Sequence, residues 1–346
     1  MNPFVYFIAV GFPLSAIIGM VVGGAYTFAF PVLAFILVPM LELFVPGLGS
    51  RESAPGGEHR IGHDLVLINA FVMVWIGLGL LLWQVTTSAP TGLEWAGFVL
   101  CSGVLFGAIG INVAHEMGHR KSKVFQIMAK LLLLPSLYMH FYIEHNRGHH
   151  RNVATPADPA TARRDEVVYA FWFRSVIGGW LSAWRIEDHR LRRASLWSRV
   201  VNNEMLHLQA IQVMCLAAVG IVLGPGALAA WLTSATVGFL LLETVNYVEH
   251  YGLLREKLPN GRYERVAPRH SWTSDHPISR ALLYELPRHA DHHAFAGRPY
   301  GSLRHFSDAP QLPTGYAGMV LLALIPPAFK KVMHENLKTE ALRLAS

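Results

Sequence analysis

Six apolar runs, near 4–24, 26–46, 66–86, 92–113, 206–224 and 226–247, dictate most of what this chain can become. Each approaches the roughly 20 residues that a helix needs to cross a bilayer. Hydrocarbon offers backbone groups no water to bond, so runs of this length are expected as helices, and the fold class is all-α integral membrane with six transmembrane helices. At 52% hydrophobic and 15% charged residues, with a mean hydropathy of +0.33, the chain is also too apolar for a soluble domain of its size. The first run begins almost at Met1 without a basic flank or a clear small-residue cleavage site, so it reads as a retained span rather than a signal peptide.

Orientation follows from where positive charge is missing, because basic short loops stay on the cytoplasmic side. No Lys or Arg occurs between Met1 and Arg51, between Arg60 and Arg120, or between Arg199 and Arg255. With both termini inside, the outer connections near 21–26, 87–92 and 224–226 carry none. A multi-pass inner-membrane protein is expected, its polar cap (114–205 and 248–346) facing the cytoplasm. The net charge of +6 and pI ≈ 9.4 then reflect a basic inner face beside anionic lipid, with no nucleic-acid partner required. Cys101 and Cys215 both fall inside predicted spans, which excludes a disulfide framework or a cysteine metal site. No repeat or linker divides the chain, so residues 1–346 are expected to form one membrane domain.

Half of the 18 histidines lie in four short clusters: His115 and His119 in HEMGH; His145, His149 and His150 in EHNRGHH; His250 in NYVEHYG; His289, His292 and His293 in RHADHH. Residues three and four apart share a helix face, so each multi-histidine cluster is a chelating unit. Folding the cap beneath the bundle would bring all nine to one depth. Imidazole suits Zn, Cu, Fe and Ni alike, but a catalytic zinc needs about three protein ligands. Nine fit two ions, four or five nitrogens each with a position left open. Iron is favoured, because a paired histidine-rich site beside lipid suits activation of O2 against unreactive C–H bonds. Of the other histidines, His270 and His276 are the candidates for outer-shell groups, while His189 and His334 are expected to play no part.

The stretches HEMGHR, EHNRGHHRNVATPADPATAR, NYVEHYGLLR, HSWTSDH, LPRHADHHAFAGRPYGSLR and QLPTGY resemble the membrane alkane 1-monooxygenases, and more distantly xylene monooxygenase and the membrane fatty-acid desaturases. The resemblance runs from about 110 to 317. It implies terminal hydroxylation of alkanes with O2 at a non-haem di-iron centre ligated by the nine clustered histidines, with electrons from rubredoxin and its reductase. Two cysteines cannot supply the two CxxC pairs of a rubredoxin, so the donor is expected to be a separate protein.

Around this centre, Glu116, Glu144, Glu249, Asp158 and Asp291 are candidates to accept the free imidazole N–H and fix its tautomer. The arginines of 163–199, chiefly Arg163, Arg164, Arg190, Arg192 and Arg193, are candidates to dock an acidic rubredoxin. Glu42 should face protein rather than lipid, which places Val38, Phe35 and Ala34 on one helical stripe as candidates for the wall of a substrate channel. Three other readings compete: an intramembrane zinc protease using HEMGH, with Glu116 as general base; a metal transporter; and a desaturase or aromatic-methyl hydroxylase, separable by product analysis.

Overall fold

The computed structural model describes residues 6–45, 47 and 61–345. Residues 4 and 5 of the first expected span, residue 46 of the second, Arg51 and Arg60 lie outside them. Every regular element is helical apart from isolated bridges at Lys257–Tyr263 and Thr273–Gln311. Among the described residues, five helices are long and apolar enough to cross a membrane: α2 (Gly24–Phe44), α3 (Ile61–Thr87), α4 (Gly92–Gly118), and, after the first part of the cap, Glu204–Val222 and Pro225–His250. The protein is integral to a membrane. Where a sixth span was expected, α1 (Phe7–Val22) has 16 residues, about 24 Å against a hydrocarbon core of about 30 Å.

Sequence explains the arrangement of the bundle. On α3 the exposed residues Ile61, Leu65, Ile68, Val72 and Ile76 recur at helical spacing and form a stripe that only lipid can cover. The connections at the ends remote from the histidines are tight. Gly23 (φ 76°) closes α1 and Gly224 (φ 87°) precedes the last long helix, both in left-handed conformations that a side chain would strain.

The cap elements are α5 (Lys123–Leu132); α6, built from Phe141–Glu144, a π-helical turn His145–His149 and His150–Asn152; α7 (Val168–Leu191); and α8 (Leu196–Val201). The two long helices named above follow as α9 (Glu204–Val222) and α10 (Pro225–His250). Then come α11 (Pro277–Leu282), α12 (His289–Ala294), α13 (Tyr316–Ala323) and α14 (Pro326–Ala345). Two further π-helical turns interrupt spans, Leu33–Leu37 in α2 and Leu105–Ile111 in α4.

Helix α4 is the most buried span, and it meets α10 through small residues. A Cβ added at Gly107 would come within 2.5 Å of the Gly238 carbonyl oxygen, and one at Gly103 within 2.5 Å of the Val237 Cβ. Small residues four apart on both helices let the backbones touch. Gly107→Val is therefore expected to cost about 1–3 kcal/mol by overpacking. Its unfolding temperature in detergent should fall below that of the wild type, and an unchanged value would show that the helices separate freely.

Helix α7 does not cross the bundle but runs across its histidine-bearing end. Trp172 Nε1 donates to Thr244 Oγ1 of α10 (3.0 Å), Trp180 Nε1 to Gln209 Oε1 of α9 (3.3 Å), and the Glu204 N–H to Glu187 Oε2 (2.8 Å). Thr244 and Gln209 lie about 9 and 8 Å from the ends of their helices at a rise of 1.5 Å per residue. The outer face of α7 there is Tyr169, Phe173, Ile177, Trp180 and Leu181, all exposed. An exposed apolar stripe of this kind suits a helix lying in the interface plane.

Candidate metal centre

The nine clustered histidines converge into two adjacent groups. His115, His119, His145, His150 and His292 have ring nitrogens all within 4.8 Å of one another, and so do those of His149, His250, His289 and His293. Facing Nε2 atoms are 2.7 Å apart for His115 and His292, 2.9 Å for His145 and His150, and 3.1 Å for His150 and His292 in the first group. In the second they are 3.2 Å apart for both His149–His293 and His250–His289. Two nitrogens bound at about 2.1 Å and at right angles around one ion would sit about 3.0 Å apart. A neutral imidazole carries a single N–H, so hydrogen bonds cannot satisfy such a knot, whereas one cation per group can. The residues fit two metal ions.

Local backbone geometry decides which histidine joins which group. His115 and His119 at the end of α4 are four apart and point together, as the spacing predicts. His145 and His150 are five apart, which on an α-helix would separate them by about 140°. The π-helical turn at His145–His149 closes that gap through its wider i→i+5 winding. It leaves His149, four from His145, in the other group. On α12, His289 and His293 serve one group while His292 turns to the other.

Electrostatics keeps these rings available as ligands. Burial, then the neighbouring imidazoles, hold His145, His150, His289, His292 and His293 well below the usual histidine range, and His119 is lowered to about 4. His149 goes the other way. Burial pulls it down, but the Asp158 carboxylate outweighs this, accepting from Nδ1 at 2.9 Å. Asp158 is itself fixed by the Thr161 hydroxyl (2.6 Å) and the Ala160 N–H (3.1 Å). Nδ1 therefore carries the proton, and Nε2 presents its lone pair to the group.

The other expected carboxylate partners divide. Glu249 accepts from the Tyr316 hydroxyl (2.8 Å), and its second oxygen lies 3.2 Å from His289 Nε2, the nitrogen turned inward. Glu144 accepts from Ser182 Oγ (3.3 Å). Glu116 pairs with Arg120 (2.8 Å) and accepts from the Tyr300 N–H (3.3 Å), which leaves it unsuited to the general-base role of a zinc protease. Asp291, fully buried, receives Arg298 (2.5 Å) and the Arg304 N–H (2.8 Å) rather than an imidazole. His270 pairs with Glu264 and His276 with Ser274. Sequence reasoning missed Tyr316, Thr161 and the buried network in which Arg280 and Arg288 pair with Asp275 and Glu285 just ahead of His289. A signal existed for most of them: Tyr316 ends QLPTGY, Thr161 lies in EHNRGHHRNVATPADPATAR, Asp275 in HSWTSDH and Arg288 in LPRHADHHAFAGRPYGSLR, while Arg280 and Glu285 lie outside the quoted stretches.

An apolar cavity has His115, His145, His289 and Glu249 in its lining. Ala34, Phe35 and Val38 all line it, and the π-helical turn of α4 contributes Gly107, Ala108 and Ile111. Glu42 is buried and accepts from the Ser279 N–H (2.7 Å), which holds α2 against α11. The expected docking arginines lie elsewhere. Arg163 and Arg164 precede α7, Arg190 is bound to Glu187 (2.6 Å), and Arg192 and Arg193 are exposed just beyond its end.

Comparison with known proteins follows the same lines. A model of the fatty acid desaturase family matches residues 93–322. Alkane 1-monooxygenase 1 of Alcanivorax borkumensis is 45% identical over 256 residues, covering 73% of this chain and 63% of that protein. Alkane 1-monooxygenase 2 of Pseudomonas aeruginosa is 39% identical over 346 residues, covering 96% and 91%. The hydroxylase component of xylene/toluene monooxygenase of Pseudomonas putida is 30% identical over 241 residues, covering 68% and 62%. The chain thus spans under two thirds of the first and last of these relatives and nearly all of the second. On matching motifs, identity and coverage together, it belongs to the alkane 1-monooxygenase family within the fatty acid desaturase superfamily.

Proposed function

We propose that the protein hydroxylates the terminal carbon of alkanes, or related hydrocarbon chains, to primary alcohols with O2. Two iron ions would be held by the nine histidines, five at one and four at the other, with electrons from rubredoxin and its reductase. The observation that carries this reading is the apolar cavity lined by imidazoles of both groups. A substrate without polar atoms can be placed only by the shape of such a cavity. The irons, when bound, would supply the activation of O2 and the insertion of one of its oxygen atoms into a C–H bond, the other leaving as water with the two electrons and two protons. The chain's own part is to hold neutral imidazoles in place, to orient His149 through Asp158, and to exclude water along the cavity. Hydroxylation is checked by supplying membranes with alkanes of several lengths, O2 and a rubredoxin reducing system, and identifying products by mass spectrometry. An alkene product would make the enzyme a desaturase instead.

Ala34 supports a reading of chain-length selection. It is small, nearly fully buried and in the cavity wall. Ala34→Trp is expected to lower turnover of long alkanes by more than about tenfold while short ones stay within about twofold, since each methylene excluded is worth about 1–3 kcal/mol. A uniform fall, or no change, across chain lengths would place the wall on another helix.

We also propose that α1 serves as a sixth span, that the chain acts as one membrane domain, and that termini and histidines face the cytoplasm. Support comes from Lys and Arg, all of which lie in segments assigned to the histidine-bearing side. Protease access to a C-terminal tag from the cytoplasmic side checks the orientation.

A further inference from the structure

Away from the cavity and the histidine groups, an open groove forms where residues of α5, α6, α7, α8 and α9 meet. Three cations line it: Lys130 from α5, Arg147 from the π-helical turn between His145 and His149, and Arg190 from the last turn of α7. Only two carboxylates pair with them among the described residues. Glu204 binds Lys130 (2.6 Å) and Arg147 (2.7 Å), while the buried Glu187 binds Arg147 (2.7 Å) and Arg190 (2.6 Å). One positive charge is left in surplus. Donors are left over as well, since Arg147 Nε and Arg190 Nη1 meet no acceptor among the described residues and the Lys130 ammonium meets only Glu204.

The rest of the groove is largely apolar, with Val201, Leu208 and Ile211 in its lining. Glu204 is the first residue of α9, and Ile211 lies seven residues further on, about 10 Å along the axis of a membrane-spanning helix. The groove thus joins cations at the end of a span to hydrocarbon within it. The helices that build it carry apolar surface of their own. Val124, Ile127 and Leu131 are exposed at helical spacing on α5, and Leu196, Trp197 and Val200 are exposed on α8. Both faces suit the membrane interface.

We propose that this groove binds one anionic phospholipid from the leaflet on the histidine-bearing side, its phosphate on Lys130, Arg147 and Arg190 and the start of an acyl chain along Leu208 and Ile211. Charge selects the headgroup. A phosphodiester carries one negative charge, which matches the surplus, whereas a zwitterionic headgroup brings its own cation to a site that is already positive. A soluble phosphate would meet the same donors but leave Leu208 and Ile211 uncovered. Arg190, expected from sequence to dock the electron donor, serves the lipid instead. The site stands apart from the oxygenase reading, and its test needs no turnover.

Phosphatidylglycerol is titrated into the detergent-solubilised protein and bound lipid is counted by native mass spectrometry. The unfolding temperature is read in phosphatidylcholine nanodiscs with and without phosphatidylglycerol. The wild type should hold one phosphatidylglycerol per chain in preference to phosphatidylcholine and unfold at a higher temperature with it, because the lipid binds only the folded chain. Lys130→Gln with Arg190→Gln should bind it about tenfold or more weakly and lose that stabilisation, while Arg192→Gln with Arg193→Gln, which removes the same charge outside the groove, should stay within about twofold of the wild type. Ile211→Trp, which fills the apolar end and leaves every ion pair intact, should weaken binding as well, and it decides the matter if the charge variant fails to fold. Equal binding by the wild type and the groove variants, an equal loss in the Arg192 and Arg193 control, or displacement of the lipid by soluble glycerol phosphate at equal concentration overturns the proposal.

Discussion

Alanine at His149 or His250 is expected to reduce hydroxylation by more than the about 100-fold that loss of an outer-shell partner can cost, while the helices insert and fold as before. Both residues belong to the four-histidine group, and removing either leaves three imidazoles there, with Glu249 beside His289. Iron per chain should fall by about half if the five-histidine group keeps its ion. His189→Ala and His334→Ala should leave iron and turnover unchanged, since His189 is exposed and His334 contacts Tyr251 and Asp165 rather than the centre. Full activity in His149→Ala would remove that residue from the site.

Asp158 should give the next largest effect, although it touches no metal position. Its carboxylate holds the Nδ1 proton of His149 and is itself clamped by Thr161 and Ala160. Asp158→Ala is expected to weaken iron retention by about 10–100-fold, read as faster loss of iron to a chelator. Asp158→Asn, which keeps an oxygen acceptor but not the charge, should fall between. If the alanine variant retains iron as the wild type does, the hydrogen bond is structural only.

Much of this was legible in the sequence, for physical reasons that can be named. Helical spacing predicts that His115 and His119 share a target, and they do. The need to keep Glu42 out of lipid placed Ala34, Phe35 and Val38 on an inward stripe, and all three line the cavity. The division of nine histidines into five and four was not legible. It depends on a π-helical turn between His145 and His149, and α-helical spacing would have paired those two instead. Nor could sequence show that Asp291, between ligand candidates, is claimed by Arg298 and Arg304, whereas the Glu116–Arg120 pair, four apart on a helix, could have been read. Partners more than a turn or two away are known only once the chain is folded. The length of α1 marks a third limit, since an apolar run sets where a helix can lie but not where it ends.

The three π-helical turns carry a consequence for how this chain can vary. Each one holds an extra residue relative to a regular helix, and each borders the cavity or the histidine groups. Deleting one residue from Leu33–Leu37 or from Leu105–Ile111 removes that extra residue, so the turn can relax to an ordinary helix with the segments on either side kept in register. Glu42 would stay on Ser279, and His115 and His119 would stay with their group. The same deletion in a regular stretch of α2 or α4 has no such slack and would rotate everything after it by about 100°. The π-helical turns are therefore the places where these two spans can lose a codon without turning the cavity wall or the histidines away.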